Sequence, residues 1–144
     1  MKITIGNSSD IISKAQSIRY QVFTLEQNIP QHLDTDGLDA ISHHALATDG
    51  NSLVATARLH INEVGHSVMA RVAVIKEYRG SGVASKVVKE LLNLAHELGV
   101  STVEIHAHEY LRNFYEKFGF QFIRKAEVVG DHQLIEMRFQ AASA

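Results

Sequence analysis

Val68 to Ile75 is an apolar, strand-like run. It leads through Arg79-Gly80-Ser81-Gly82-Val83-Ala84 into an amphipathic helical stretch that reaches Leu98. Nothing else in the chain limits the fold so strongly. A strand that passes through a tight turn into a helix, and then into another strand at Thr102–Ala107, is a crossover unit. Such a unit pairs its two strands in parallel and needs a sheet that both can join. Val83, Val87, Leu91, Leu94, Ala95 and Leu98 share one helical face, while Lys86, Lys89, Glu90 and Glu97 lie off it. Gly99 closes the helix. The two glycines of the turn let the backbone bend sharply and leave its N–H groups uncovered. The positive end of the following helix points at the same spot, which suits an anion, above all a phosphate.

The remaining segments fit around this unit. Lys2 to Ile5 alternates as a short strand, and Asn7 to Asp10 supplies N-caps for a helix whose apolar residues run from Ile11 to Leu25. Pro30 ends that pattern, and Gln31 to Leu38 reads as a polar loop or short helix, long enough to suggest a functional role. His44–Thr48, Leu53–His60 and Val68–Ile75 form a predicted antiparallel meander with turns at Asp49-Gly50-Asn51 and Asn62–Gly65. Tyr110 to Phe118 is a predicted short helix, followed by strands at Phe120–Ile123 and Leu134–Phe139. The expectation is one α/β (α+β) domain spanning residues 1–144, with a mixed, mostly antiparallel central sheet flanked by helices.

Composition narrows the function. A chain of 144 residues with 45% hydrophobic and 21% charged content has the make-up of a soluble globular domain. A net charge of −2 gives no reason to expect nucleic acid as a partner. No apolar run approaches the ~20 residues of a membrane helix, and the N-terminus is too short and polar for a signal peptide. A cytoplasmic location is therefore expected. With no cysteine, disulfides, thiolate metal sites and a cysteine nucleophile are excluded.

The glycine turn lacks the third glycine and first-strand position of a dinucleotide fingerprint, and it has no Gly-Lys-Ser/Thr of a Walker loop. It does match Arg/Gln-x-x-Gly-x-Gly/Ala, with Arg79, Gly82 and Ala84 in the fixed places. Tyr115-Glu116-Lys117-Phe118-Gly119-Phe120 matches a tyrosine followed by Glu-Lys-x-Gly-Phe. On these two motifs, in this order, the chain resembles the GNAT superfamily of N-acetyltransferases. Arg19-Tyr20-Gln21-Val22-Phe23-Thr24-Leu25-Glu26-Gln27, with Asp36, Asp39 and His44, is similar to the ElaA-like branch of small bacterial GNAT proteins. Together the matches extend from about Arg19 to Met137.

The resemblance implies a GNAT-like sheet with a splayed parallel strand pair, acetyl-coenzyme A as donor and a small-molecule or peptide amine as acceptor. Backbone groups of Val72, Ala73 and Val74 would pair with the pantetheine arm, and an N–H near Val74 would polarise the thioester. Arg79 and the amides of Gly80, Ser81, Gly82, Val83, Ala84 and Ser85 would surround the diphosphate. Tyr115 would protonate the departing thiolate as general acid. His108 stands seven residues before Tyr115, where many members carry Asn, and would hydrogen-bond the cofactor. Arg19, Phe23, Glu26, Asp36, Asp39 and His44 would line the acceptor cleft, with Glu26 one candidate for the base. A non-catalytic acetyl-coenzyme A sensor on the same fold is the alternative.

Nine histidines raise the question of a metal. His106 and His108 would share a strand face, with His43 and His44 nearby, but no metal-binding helix motif or clear third ligand accompanies them. The expectation is that no metal is bound. A homodimer formed by edge pairing of the last strand, Leu134–Phe139, is the expected assembly.

Overall fold

The structure is a computed structural model and describes residues 1–141. The elements are β1 (Lys2–Gly6), α1 (Ser9–Arg19), α2 (Gln31–Asp34), β2 (His43–Asp49), β3 (Ser52–Glu63), β4 (His66–Val74), α3 (Val83–Glu97), β5 (Thr102–His108), α4 (Arg112–Glu116), β6 (Gln121–Val129) and β7 (His132–Gln140). One seven-stranded sheet has the order β1-β2-β3-β4-β5-β7-β6, and only β4 and β5 run parallel. This is the mixed, mostly antiparallel arrangement that the crossover unit required. No helix among the described residues is long and apolar enough to cross a membrane.

Alternation along the strands sends side chains to two helix-covered faces. Ala45 and Ala47 of β2 pack with Val83, Val87, Leu91 and Ala95 of α3. Leu46 and Ala73 face the opposite way, toward Ile18 and Val22. α1 starts at Ser8, whose hydroxyl accepts the Ile11 N–H at 3.2 Å. The helix does not stop at Arg19 but widens into i→i+5 turns over Tyr20–Glu26, with Gln27 N–H reaching the Val22 carbonyl at 3.1 Å. Asn28, at φ 59°, then turns the chain out before Pro30.

Two features shape the middle of the sheet. Pairing of β4 with β5 extends only from His66↔Thr102 to Met69↔Ile105. Just beyond, β4 bulges: Arg71 and Val72 stand opposite Ala57, and Arg71 takes φ 59°. The two strands therefore part, and β4 from Ala70 onward presents backbone that β5 does not bond.

The last strands differ from the sequence expectation. β6 runs to Val129, longer than Phe120–Ile123, because Arg124, Lys125 and Glu127 interrupt the apolar alternation on a largely exposed edge strand. Leu134–Phe139 lies within β7, which is bonded to β5 on one side and β6 on the other. The expected edge pairing through this strand is therefore overturned. The free edges are β1 and β6.

Candidate active site

The parting of β4 and β5 opens a cavity of about 560 Å³. Val68 to Val72 of β4 and Glu104 to His108 of β5 form its two strand walls. Phe23, Ile29, Leu33, Asp34 and Asp36 close it from the N-terminal segment, and Tyr115 and Leu111 add to the wall from the α4 region. Tyr115 is 3% exposed and meets Phe114 and Phe120 edge-on. Burial, with a smaller contribution from Tyr110, holds its phenol pKa well above the ordinary value. His108 lines the same cavity, stacks on Tyr110 at 5.1 Å and meets His132 edge-on at 4.9 Å. Burial and the neighbouring His132 lower its pKa, so the ring stays neutral at neutral pH.

The glycine turn sits at the start of α3. Gly80 and Gly82 adopt φ 80° and 82°, and a Cβ at either would meet no atom within 4 Å. The seat is thus open on the side an anion would approach, at the N-terminus of a 15-residue helix. These residues fit a diphosphate. The Ser81 hydroxyl donates to the Tyr78 carbonyl and braces the turn. A second hollow of about 500 Å³ lies beside it, lined by Gly82, Ser85, Lys86, Lys89, Phe114, Lys117 and Phe118. Its three lysines suit an anion: Lys86 and Lys89 lie off the apolar face of α3, and Lys117 caps α4.

Arg79, though exposed, is tied to β4 and to the N-terminal segment. Its Nε and Nη2 donate to the Val74 carbonyl at 3.1 and 3.0 Å, and its Nη1 and Nη2 pair with the Glu26 carboxylate. The hydrogen bond from Arg79 keeps the Glu26 pKa below its usual value. The structure places Glu26 against Arg79, at the start of the glycine turn, and not on the cavity wall.

The other N-terminal candidates divide. Phe23 and Asp36 line the cavity, whereas Arg19, Asp39 and His44 lie behind it in a buried network. Arg19 donates to Asp34 at 2.9 Å and grips Asp39 with two further bonds of 2.9 Å. Arg58 reaches Asp36 at 2.6 Å and Asp39 at 3.0 Å, and Arg71 lies 2.9 Å from Asp34 and 3.2 Å from Asp36. Three guanidiniums thus face three carboxylates. For Asp39, burial raises the pKa, but bonds from Arg19, Gln16 and Arg58 outweigh it and hold the carboxyl far below its usual range. For Asp36 too, burial raises the pKa, but Arg58, the Leu38 N–H and Arg71 together outweigh it and lower it. His44 is fully buried, its Nε2 2.8 Å from the Asp39 carbonyl, and burial lowers its pKa. These groups fasten the segment from Gln31 to Ser42 onto the sheet. Arg58 and Arg71, invisible to motif matching, are the anchors on β3 and β4.

Another polar cluster occupies the sheet face where β5, β7 and β6 meet. His106 has Nδ1 2.7 Å from Glu127 and Nε2 2.9 Å from Glu104. Glu104, His106 and Glu136 bring ligand-type atoms within 4.8 Å of one another. Arg138 lies 3.3 Å from Glu104 and 3.5 Å from Glu136, and Arg124 lies 3.7 Å from Glu136. Guanidinium groups therefore supply the positive charge among these carboxylates. His43 and His44 do not join the cluster.

A strand-parting cavity, a buried tyrosine on its wall and an open glycine turn at a helix N-terminus are the features that the resemblance to acetyltransferases called for. The sequence model of the Acetyltransferase (GNAT) family matches residues 11–120, and the chain belongs to that family. It is an ElaA-like small bacterial member. Protein ElaA of Escherichia coli is 35% identical over 107 residues, covering 72% of this chain and 70% of that protein. The crystal structure of E. coli ElaA aligns with a TM-score of 0.86 at 28% identity, over 96% of this chain and 99% of that one. YjcF of Bacillus subtilis, described as an uncharacterized N-acetyltransferase, is 29% identical over 127 residues, 88% of this chain and 90% of that protein. An acyl-CoA N-acyltransferase from Pseudomonas aeruginosa shares the fold, with a TM-score of 0.84 at 24% identity over 96% of this chain and 99% of that one.

Proposed function

We propose that this chain is a single-domain cytoplasmic N-acetyltransferase that moves an acetyl group from acetyl-coenzyme A to a primary amine of a small molecule or peptide. The observation that carries the reading is the unpaired edge of β4 in the cavity that Tyr115 also lines, with the open glycine turn at the start of α3. The pantetheine arm pairs with backbone of Val72, Ala73 and Val74 as an added strand. Amides from Gly80 to Ser85 bind the diphosphate, and Lys86, Lys89 and Lys117 receive the remaining phosphate charge. The thioester then lies in the strand opening, where an N–H near Val74 stabilises the oxyanion. Tyr115, kept protonated by burial, gives its proton to the sulfur as the C–S bond breaks. His108, neutral and lining the same cavity, hydrogen-bonds the pantetheine amides; its lowered pKa and its place in the lining support this.

The test is thermal unfolding with and without nucleotides, followed by an assay for free coenzyme A. Acetyl-coenzyme A at about 100 times its Kd should stabilise the fold by ~2.7 kcal/mol, and NAD or ATP should not. An amine panel should then release coenzyme A. Binding with no release for any amine would define a sensor instead, and no binding would overturn both readings.

A further inference from the structure

The reaction proposed above leaves one task unassigned. An alkylamine of pKa ~10.4 is neutral in only about one molecule in 10³ at pH 7, so its ammonium proton needs an acceptor in the site. The Asp–Arg network is poorly suited, since three guanidiniums already balance Asp34, Asp36 and Asp39. Glu26 is engaged by Arg79 away from the cavity.

The face carrying His106 is different. On β5, Val103, Ile105 and Ala107 pack into the core, so Glu104 and His106 turn to the other side. Glu136 and Arg138 of β7 stand directly opposite His106 and Glu104, and Arg124 of β6 stands opposite Glu136. Glu127 comes from a second bulge: Ala126 and Glu127 occupy the place on β6 that faces Leu134 alone. That bulge brings its carboxylate to His106 Nδ1. His66 of β4 also reaches Glu104, at 3.5 Å. Glu104, Glu127 and Glu136 against Arg124 and Arg138 leave one negative charge, and His106 and a substrate ammonium can each answer it. Glu104, His106 and Glu127 all line the cavity that holds Tyr115.

We propose that His106 is the general base for the acceptor amine, with Glu104 as its positioning residue and Glu127 as the dock for the incoming ammonium. This rests on the acetyltransferase reading above. Glu104 accepts from Nε2–H and fixes the ring, so Nδ1 carries the lone pair in the neutral form. A neutral ring repels a carboxylate at Nδ1. Glu127, with 52% of its side chain exposed, turns to the substrate ammonium and leaves Nδ1 free. One N–H proton passes from the ammonium to Nδ1, and the free amine attacks the thioester carbon. The C–N bond forms, the C–S bond breaks, and Tyr115 protonates the sulfur. The second proton lost by nitrogen restores Tyr115, and His106 releases its own to solvent. In the structure, with no ammonium on Glu127, both ring nitrogens lie against carboxylates, the arrangement that holds the imidazolium. Burial alone would lower the His106 pKa, but the bonds to Glu127 and Glu104 raise it above the ordinary value.

The experiment compares wild type, His106→Gln, His106→Ala and Glu127→Gln. Each is checked first for acetyl-coenzyme A binding by calorimetry, then assayed with a panel of putrescine, glucosamine, glycinamide and a lysine peptide across pH 6–10. His106→Gln should bind acetyl-coenzyme A normally and lose about 10²-fold in kcat/KM at pH 7. The loss should shrink toward unity as pH approaches the amine pKa, because the substrate then arrives already deprotonated. Imidazole added to His106→Ala should restore part of the rate. Glu127→Gln, at an exposed position, should raise KM for the amine more than it lowers kcat. Normal turnover by His106→Gln at pH 7, or a deficit that does not change with pH, would overturn this role and leave the acetyltransferase reading standing. A wild type that binds no acetyl-coenzyme A or acetylates no panel amine overturns that reading, and this one with it.

Discussion

Tyr115 shows how much a single residue's meaning depends on its surroundings. In the sequence it is one aromatic among Phe114, Phe118 and Phe120, and packing alone would explain it. The fold puts it in two settings at once. Its ring is packed edge-on between Phe114 and Phe120, and the side chain also lines the strand opening. Replacing Tyr115 by Phe keeps the packing and removes only the hydroxyl. The expected result is a fall of about 10² in kcat, with the Kd for acetyl-coenzyme A unchanged by calorimetry. Unchanged kcat across pH 6–10 would remove Tyr115 from the chemistry. Glu26 makes the opposite point. The family resemblance put it in the acceptor cleft, yet the widened turns of Tyr20–Glu26 carry it to Arg79. No spacing rule signals that excursion, because an i→i+5 turn shifts the register of every later side chain on the helix.

At the scale of elements, the glycine turn was the most legible part of the chain. Its position between β4 and α3, its open face and its left-handed glycines all follow from residue types whose backbone preferences are local. Gly82 precedes α3 directly, at φ 82°, with empty space where a side chain would begin. Gly82→Ala should therefore destabilise the fold by roughly 1–2 kcal/mol through backbone conformation alone. Its methyl would also project toward the anion seat. Loss of one charge-assisted hydrogen bond there is worth ~1.5–3 kcal/mol, so acetyl-coenzyme A affinity should fall about ten- to a hundredfold. Calorimetry at a temperature where both proteins are folded separates the two effects, and an unchanged Kd would show that the diphosphate sits elsewhere. The β bulges were not legible. Arg71 and Glu127 owe their directions to one extra residue in each strand, which register with a neighbour reveals and alternation within the strand does not. The same limit explains the misplaced edge: β7 inserts between β5 and β6, a matter of strand order that local patterns do not encode.

Across the whole molecule, the three aspartates of the Gln31–Ser42 segment join α1, β3 and β4 through Arg19, Arg58 and Arg71, and so hold one wall of the cavity on the sheet. That arrangement ties integrity to pH. Asp36 and Asp39 have folded pKa values below the ordinary ~3.9, so their contribution is complete above that value and drains as pH falls through the lower ones. His44, held neutral by burial, also favours the folded state above its ordinary ~6.5 and loses that contribution on acidification. His106 works the other way: its raised pKa adds stability below ~6.5 that is lost as pH rises through the folded value. The carboxylates should dominate at the acid end because each is bonded to guanidinium groups that stay charged throughout. Asp39→Asn removes the most strongly held of them and leaves Arg19, 2% exposed, without its bidentate partner. Arg19 keeps Asp34 and Arg58 keeps Asp36, so the variant should be less stable by about 1.5–3 kcal/mol at pH 7. Its urea-unfolding free energy should also change less than that of wild type between pH 5 and pH 3, since the group whose protonation drives the loss is gone. Parallel pH profiles for the two proteins would mean that acid unfolding is governed elsewhere and that the network holds the cavity wall without setting its pH limit.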